Sequence, residues 1–405
     1  MKNSHNPLTA VIIGAGIAGC STAYALAKYG IKVTLIERHD AVAQEASGNP
    51  VAMLYPKLNT VSDALSILAS YGFSFTVDLL KQLPYCESLF ALCGQIQLGF
   101  NEREQTKHSK LLDNKDANLA FQHLSIDEAS EKANIALLSG GLYLPESGWV
   151  NPQLFCQSLI QSDLIKCQLS TTVSSIHQQS TDWQIRLANK QQLAADIVVL
   201  CNANAILQFA PCQQLPVTPV RGQVNFFKEN ATTQAMKSVI CSDHYLSPSI
   251  KGIHSIGTSY APNDMNGALC AQDTEANLQA LKAISPAIFN SIHACEVTGR
   301  VAWRSATRDY LPLAGQLIDE QALKAAPPRY SDSPSNLPWL TGLYVNAGHG
   351  SKGMITAPLC GELIANLITN KSLVIAPSIA TKLNPSRFLL KEMGLKQIAQ
   401  NLYDF

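Results

Sequence analysis

The sequence predicts an α/β protein: a Rossmann-like, discontinuous dinucleotide-binding domain with a parallel sheet, joined to a second α+β domain built on an antiparallel sheet. Three observations predict it. Residues 10–37, AVIIGAGIAGCSTAYALAKYGIKVTLIE, read strand, glycine turn, helix, strand, acid. Residues 343–368 repeat the order strand, glycine turn, helix at the other end of the chain. Between them, residues 217–227, 238–246 and 253–258 alternate apolar and polar, as strands with one buried face do.

The first stretch carries the most chemistry. Val11, Ile12 and Ile13 form a short β-branched run, and Gly14, Gly16 and Gly19 follow at the spacing G-x-G-x-x-G. The first glycine permits a tight turn, the second lets backbone approach a pyrophosphate, and the third permits close packing of the helix. The helix start offers free N–H groups and a partial positive charge to phosphate. Ile17, Cys20, Tyr24 and Ala27 recur at helical spacing, and Gly30 is the stop. Glu37 lies 18 residues beyond Gly19, where an acid accepts from a ribose 2′-hydroxyl. An acid there disfavours a 2′-phosphate, so NADP is the least expected ligand and FAD and NAD remain.

Along the chain, small residues at Ala46, Ser47, Gly48 and Asn49 suit a loop lying against a cofactor, or a plain turn. Residues 51–58 are apolar, and 62–82 form an amphipathic helix. Residues 95–100 alternate like a strand, and 101–115 read as a solvated helix or loop. Ser125 with Glu128 is a capping box that opens a helix over 125–136. A strand at 142–144 follows, then a helix from Asn151 and Pro152. Strands are expected at 171–177, 183–187 and 196–201, the last apolar enough for a buried sheet, and a helix at 274–283. Residues 300–315 pack charge, aromatics and turn formers, and 324–338, with four prolines, read as a surface loop. The domain boundaries expected are 1–83, 141–214 and 301–405 for the cofactor domain, and 84–140 and 215–300 for the substrate domain.

Composition narrows the class. Of 405 residues, 46% are hydrophobic and 15% charged, with Lys plus Arg at 30 and Asp plus Glu at 30. A net charge of zero gives no global field for nucleic acid, so any such surface is a local patch. No run approaches 18 apolar residues, and the N-terminus lacks a signal-peptide pattern. The 11 cysteines are odd in number and scattered without a C-x-x-C pair, which suits buried free thiols in a reducing compartment. The nine histidines form no ligand pattern, so no metal and a cytoplasmic location are expected.

The second turn, residues 348–353 (GHGSKG), separates flavin from nicotinamide. It can bring a helix N-terminus and Lys352 near a reactive ring, where positive potential favours a reduced flavin anion. A helix cap with a solvated lysine is the plainer reading. With these motifs, Val220-Arg221-Gly222-Gln223, Arg304 with Thr307, Asp309 and Pro312, and residues 348–358, the chain resembles the FAD-dependent D-amino acid oxidase and glycine oxidase family. ASGNPVAMLYPKL (46–58), SGWVNPQLFCQSL (147–159), ATRDYLPLAG (306–315) and LNPSRFLLK (383–391) are similar, more narrowly, to the flavin oxidoreductase half of the bifunctional tRNA 5-methylaminomethyl-2-thiouridine biosynthesis proteins.

That resemblance implies an FAD-dependent oxidoreductase acting on a CH–NH group. It implies removal of the carboxymethyl arm of 5-carboxymethylaminomethyl-(2-thio)uridine at the tRNA wobble position, giving the 5-aminomethyl nucleoside and glyoxylate. It implies Arg304 as the carboxylate-binding residue, with Tyr245 and Lys352 at the catalytic site, though Tyr245 reads equally as a buried strand tyrosine. It implies Gly14, Gly16, Gly19, Glu37, Ser47, Gly48, Asn49, Val173, His349, Gly350, Ser351 and Gly353 around the cofactor. A structural ion pair with Asp309 is the other reading of Arg304. Lys382, Arg387, Lys391 and Lys396 are candidate tRNA contacts, Arg387 and Lys391 sharing a helical face; a solvated face explains them equally. Two departures stand out. Ala203 occupies a position where the family places glycine, and the chain begins directly at the flavin motif, as a stand-alone enzyme with a separate methyltransferase partner would. The rival readings are an oxidase of free glycine, sarcosine or D-amino acids, and a non-catalytic flavin-binding protein.

Overall fold

Strand Thr9–Ile13 lies inside a six-stranded sheet whose order is Leu313–Ile318, Trp339–Ala347, Ile197–Leu200, Thr9–Ile13, Lys32–Ile36, Ile165–Gln168. The computed structural model describes residues 8–56, 58–61, 63–84, 86–113, 120–180, 182–292, 296–329 and 332–403. The chain divides into two units: Met1–Gly48, Phe155–Thr218 and Arg304–Phe405, and Asn49–Leu154 with Pro219–Trp303.

In the first unit the sheet is parallel except at its Leu313–Ile318 edge. Ile12 stands opposite Val199 and Leu35. The central strands are apolar and buried, Ala10 to Ile13 and Ile197–Leu200, because both faces are covered. Helices Ile17–Lys28 and Gly353–Thr369 cross closely: a Cβ on Gly361 would lie 3.0 Å from the Ser21 carbonyl carbon and the Thr22 nitrogen. Buried Glu362 locks the crossing, accepting from Tyr29 Oη (2.7 Å) and Lys28 Nζ (3.2 Å). Strands Val173–Gln179 and Asp182–Leu187 appear where expected and gain a third partner, Gln192–Ala195, too short and polar to announce itself.

Two expectations change here. Residues 300–315 are not one irregular run but the ends of two strands, Thr298–Thr307 and Leu313–Ile318, around a turn. Arginines at 300 and 304 hide the strand signal. The expected loop 324–338 begins as the end of helix Glu320–Ala325, capped by Asp319 Oδ1 accepting from Ala322 N (3.0 Å), and later forms the short turn Pro334–Asn336. Residues 330 and 331 of that run lie outside the described residues.

The second unit holds a nine-stranded sheet along Val217–Lys228, Ile253–Gly257, Tyr245–Leu246, Val239–Cys241, Gln95–Leu98 and Gly141–Leu144. These pairs are antiparallel except the parallel pairing of Val239–Cys241 with Gln95–Leu98. Helix Ala271–Ile284 packs on it through Leu278, Leu281 and Ile284. Ser125 and Glu128 form the expected capping box at helix Ile126–Ala133, and Asn151 Oδ1 accepts from Leu154 N (3.0 Å) at helix Pro152–Leu159. Helix Ala64–Gln82 starts at Asp63, whose carboxylate accepts from Ser66 N (2.7 Å).

Residues 49–83 and 141–154, expected with the cofactor domain, group with the second unit. Met53 stands opposite Trp149 in a small sheet, and Val51 and Trp149 share an apolar cluster with Val239 and Cys241. Among the described residues no helix is long and apolar enough to cross a membrane.

Candidate active site

The first glycine turn is shaped by what touches it. Gly14 has φ +98°, and a Cβ there would meet Asn202 Cα and Cys201 O at 2.9 Å. A Cβ on Gly19 would fall 1.8 Å from Gly14 O, inside any van der Waals limit. At Gly16 the nearest neighbour is the Ser47 hydroxyl, 3.3 Å away. That hydroxyl accepts from Ile17 N (3.1 Å), so the turn Ala46–Gly48 caps a helix whose own N-cap residue, Gly16, has no side chain to do so. Ser47 and Gly48 are thereby brought to the turn.

Glu37 is buried and returns to the same turn. Its carboxylate accepts from Ala15 N (2.8 Å) and His39 N (3.0 Å). Thr171 N donates to Glu37 O (2.8 Å), which brings the start of strand Val173–Gln179 beside it; Val173 itself is buried in the apolar core. Asn202 Oδ1 and Asn204 Oδ1 are buried near this turn with no hydrogen-bond partner. An open glycine backbone, a helix N-terminus, an acid and unsatisfied carboxamide oxygens fit the pyrophosphate and ribose of a dinucleotide.

The neighbouring residue Ala203 has φ +52°, a left-handed conformation that costs an alanine and not a glycine. The departure noted in the sequence is therefore real, and the turn is held despite it.

At the second turn, Ala306 pairs with His349, and a Cβ on Gly348 (φ +74°) would lie 2.8 Å from Thr307 Cγ2. The end of strand Thr298–Thr307, which carries Arg304, therefore runs beside the turn. Gly350 has φ +56°, Ser351 is exposed, and Lys352 is half-buried just before helix Gly353–Thr369. The His349 imidazole, expected beside the cofactor, is held in a protein network: Nε2 meets Asn346 Oδ1 and Nδ1 meets Thr356 Oγ1, both at 2.9 Å. Asn346 Nδ2 in turn donates to Thr22 Oγ1 (3.0 Å) in the first helix. Burial pushes His349 down to about 3, so the ring is neutral, donating from Nε2 and accepting at Nδ1. Asn346, Thr22 and Thr356 gave no sequence signal, being ordinary residues of a strand and two helices.

Arg304 is half-buried, and its carbonyl accepts from Asn204 Nδ2 (3.3 Å). Asp309, the ion-pair partner considered for it, is taken by Arg387: Nε to Oδ2 at 3.0 Å and Nη2 to Oδ1 at 2.9 Å. Arg387 is 1% exposed and also donates to the carbonyls of Leu311 (2.8 Å) and Pro312 (3.1 Å). It is thus not a tRNA contact; a buried guanidinium satisfied by a carboxylate and carbonyls is a structural tie. Lys382, Lys391 and Lys396 are exposed.

In the second unit, Asn49 Oδ1 accepts from Arg300 Nη1 (2.8 Å). Tyr245 is half-buried in strand Tyr245–Leu246, opposite Cys241 and Gly257. Burial, then the nearby Cys241 and Tyr245, pushes the Tyr55 hydroxyl well up; sequence reasoning had not singled out Tyr55. Arg221, from the Val-Arg-Gly-Gln motif, is buried and ties the 264–273 segment together through Asp273 and the carbonyls of Asn266 and Ala268 (both 2.7 Å). Among the described residues no cluster of His, Cys, Asp and Glu is arranged to hold a metal.

Comparison with known proteins agrees with this geometry. The chain is 37% identical over 394 residues to the tRNA 5-methylaminomethyl-2-thiouridine biosynthesis bifunctional protein MnmC of Methylobacillus flagellatus, covering 97% of this chain and 61% of that protein. The protein of the same name from Pseudomonas putida is 37% identical over 402 residues, covering 96% and 61%. The chain spans about three fifths of the length of these curated relatives. Its fold is that of glycine oxidase from Geobacillus kaustophilus (TM-score 0.76, 21% identity, 94% of this chain and 99% of that one). L-proline dehydrogenase from P. horikoshii shares it (TM-score 0.75, 18% identity, 96% and 99%). The family model for FAD dependent oxidoreductases (DAO) matches residues 9–367, from the first strand into the helix after the second glycine turn. That span takes in both turns and every strand of the parallel sheet, and the chain belongs to the FAD dependent oxidoreductase (DAO) family.

Proposed function

We propose that the chain removes the carboxymethyl arm of 5-carboxymethylaminomethyl-(2-thio)uridine at the tRNA wobble position. The observation that carries this reading is the 37% identity to MnmC proteins along nearly all of this chain. The arm, R–NH–CH2–COO⁻, loses two electrons and two protons, as a hydride from carbon and a proton from nitrogen, to become R–N=CH–COO⁻; water then adds and R–NH2 leaves with glyoxylate as co-product. FAD, when bound, supplies the two-electron acceptor for the C–H bond between nitrogen and carboxylate.

The chain's own residues bind and orient. Gly14, Gly16 and the N–H groups that follow hold the pyrophosphate, and Glu37 takes the ribose. Ser47 and Gly48 line that end, with Asn49 and Val173 as further contacts. Gly350, Ser351 and Gly353 present backbone at the second turn, and Lys352 with the helix N-terminus favours negative charge there. Neutral His349 moves no proton; it fixes the turn through Asn346 and Thr356. Arg304 holds the substrate carboxylate in a charge-assisted fork, worth roughly 1.5–3 kcal/mol. The reaction depends on orientation more than on an acid or base.

The product is a primary amine, and the name of the relatives points to a following N-methylation by a methyltransferase activity. We place the enzyme in the cytoplasm with its tRNA.

The test is direct. The purified yellow protein is incubated with tRNA bearing the carboxymethylaminomethyl group and, separately, with glycine and sarcosine. Nucleoside conversion with glyoxylate release is expected; oxidation of the free amino acids alone overturns the reading in favour of an amino-acid oxidase. Arg304→Ala is expected to raise the Michaelis constant by ten-fold or more while the flavin spectrum persists, and unchanged kinetics remove Arg304 from its role.

A further inference from the structure

Tyr310 is a bulky side chain in a conformation that such residues avoid. It has φ +60° and is 64% exposed. A surface turn has no physical need of a large ring at a left-handed position, where glycine or asparagine serves without strain. Such an outlier persists only where its surroundings over-determine it. Here they do. Asp309 on one side is gripped by both arms of Arg387, and Leu311 on the other gives its carbonyl to Arg387 Nη2 (2.8 Å) and to Thr307 Oγ1 (2.7 Å). The backbone on both sides of Tyr310 is tied to the interior, and the ring itself faces water.

The placement adds a second observation. Tyr310 follows the strand that carries Arg304 and whose Ala306 pairs with His349 of the second turn. At about 3.3 Å per residue, the strand from Arg304 to Thr307 spans roughly 10 Å. Two residues before Tyr310 is Arg308, whose guanidinium lies 5.4 Å from the Phe388 ring centroid and pairs with Glu392 at 3.0 Å. Both partners of that ion pair are more than 60% exposed, so it contributes little and a phosphate can replace the carboxylate.

We infer that Tyr310 is a stacking platform for a nucleobase of the single-stranded RNA loop that carries the substrate uridine, with Arg308 as the adjacent phosphate contact. Unstacked bases of RNA loops are held in this way, on exposed aromatic rings next to cations. The inference rests on the tRNA reading and names the feature of the substrate that this surface takes.

The experiment measures the affinity of the FAD-loaded protein for an unmodified anticodon stem-loop RNA by fluorescence anisotropy, for wild type, Tyr310→Phe, Tyr310→Ala and Tyr310→Gly. Melting temperatures are taken alongside. Stacking predicts that Tyr310→Phe binds like wild type and that Ala and Gly weaken binding by ten-fold or more. It also predicts that Tyr310→Gly melts higher than wild type, since the strain is relieved. A variant that is more stable yet binds RNA less well cannot be explained by a structural role. Equal affinities across the four proteins overturn the inference, as does a loss in Tyr310→Ala that Tyr310→Phe shares. Wild type that binds the stem-loop through Tyr310 but leaves modified tRNA unconverted refutes the proposed reaction alone, and wild type that binds no RNA refutes both.

Discussion

Gly19 shows how much one hydrogen atom decides. Its missing Cβ would stand 1.8 Å from Gly14 O, so the helix start and the turn before it share a space that admits no side chain. Gly16, by contrast, faces only the movable Ser47 hydroxyl at 3.3 Å. Gly19→Ala should cost at least the roughly 1–3 kcal/mol typical of overpacking, and more because the obstacle is backbone. Both Gly19→Ala and Gly16→Ala should weaken FAD binding, the first with a loss of stability and the second with little, because its obstacle within the protein is a movable hydroxyl; thermal melts and visible spectra of the two variants check this. The spacing of these glycines was legible because glycine is the one residue whose absence of a side chain is visible in a sequence. The strain at Tyr310 was not, since a backbone angle imposed from outside leaves no local mark, and that at Ala203 showed only through the resemblance that puts glycine there.

At the scale of elements, the Arg387–Asp309 pair joins the turn after strand Thr298–Thr307 to helix Arg387–Glu392 near the C-terminus. Burial by itself would raise the Asp309 carboxyl, but the hydrogen bonds and charge of Arg387 outweigh it and hold it below the ordinary carboxylate range. Arg387→Ala removes the cation from Asp309 and a donor from the carbonyls of Leu311, Pro312, Leu383 and Asn384, and should cost about 3–5 kcal/mol. Arg387→Lys should recover little, because a point charge does not span both oxygens and the carbonyls behind them. Urea melts of the two variants measure this, and near-wild-type stability of the lysine variant would show that charge alone suffices. The late Asn-Pro-x-Arg motif was visible in the sequence, yet its role was misread. On helical spacing Arg387 belongs to an exposed basic face, and only the fold shows that the chain turns it inward.

For the whole molecule, the buried histidines set the acid limit of stability. Burial lowers His108, His244, His254 and His349, the last to about 3. An unfolded histidine binds a proton near pH 6.5. The folded chain resists that proton, so the unfolded state binds more of them and stability falls as pH drops from about 6.5 toward 3. Asp309 adds to this at lower pH: its contribution is whole above the usual carboxylate value and is lost as pH falls through its depressed one. Urea denaturation between pH 7 and pH 4 should show a steady loss, shallower in His349→Gln, and a flat profile would place these rings in contact with water.

By itself the sequence determined the kind of protein this is. Glycine spacing, a terminal acid and period-two alternation are local signals, produced by backbone angles and burial within a few residues, and they sufficed for a discontinuous parallel sheet, a dinucleotide turn and a second, largely antiparallel sheet. Only the tertiary structure decided which side chains serve the site and which serve the scaffold. It turned His349 toward Asn346 and Thr356, gave Asp309 to Arg387 rather than Arg304, and drew residues 49–83 into the second unit through the Met53–Trp149 pairing. Each of these is a contact between residues distant in sequence or a direction a side chain takes on burial, and neither is encoded in a residue's type or its spacing from its neighbours.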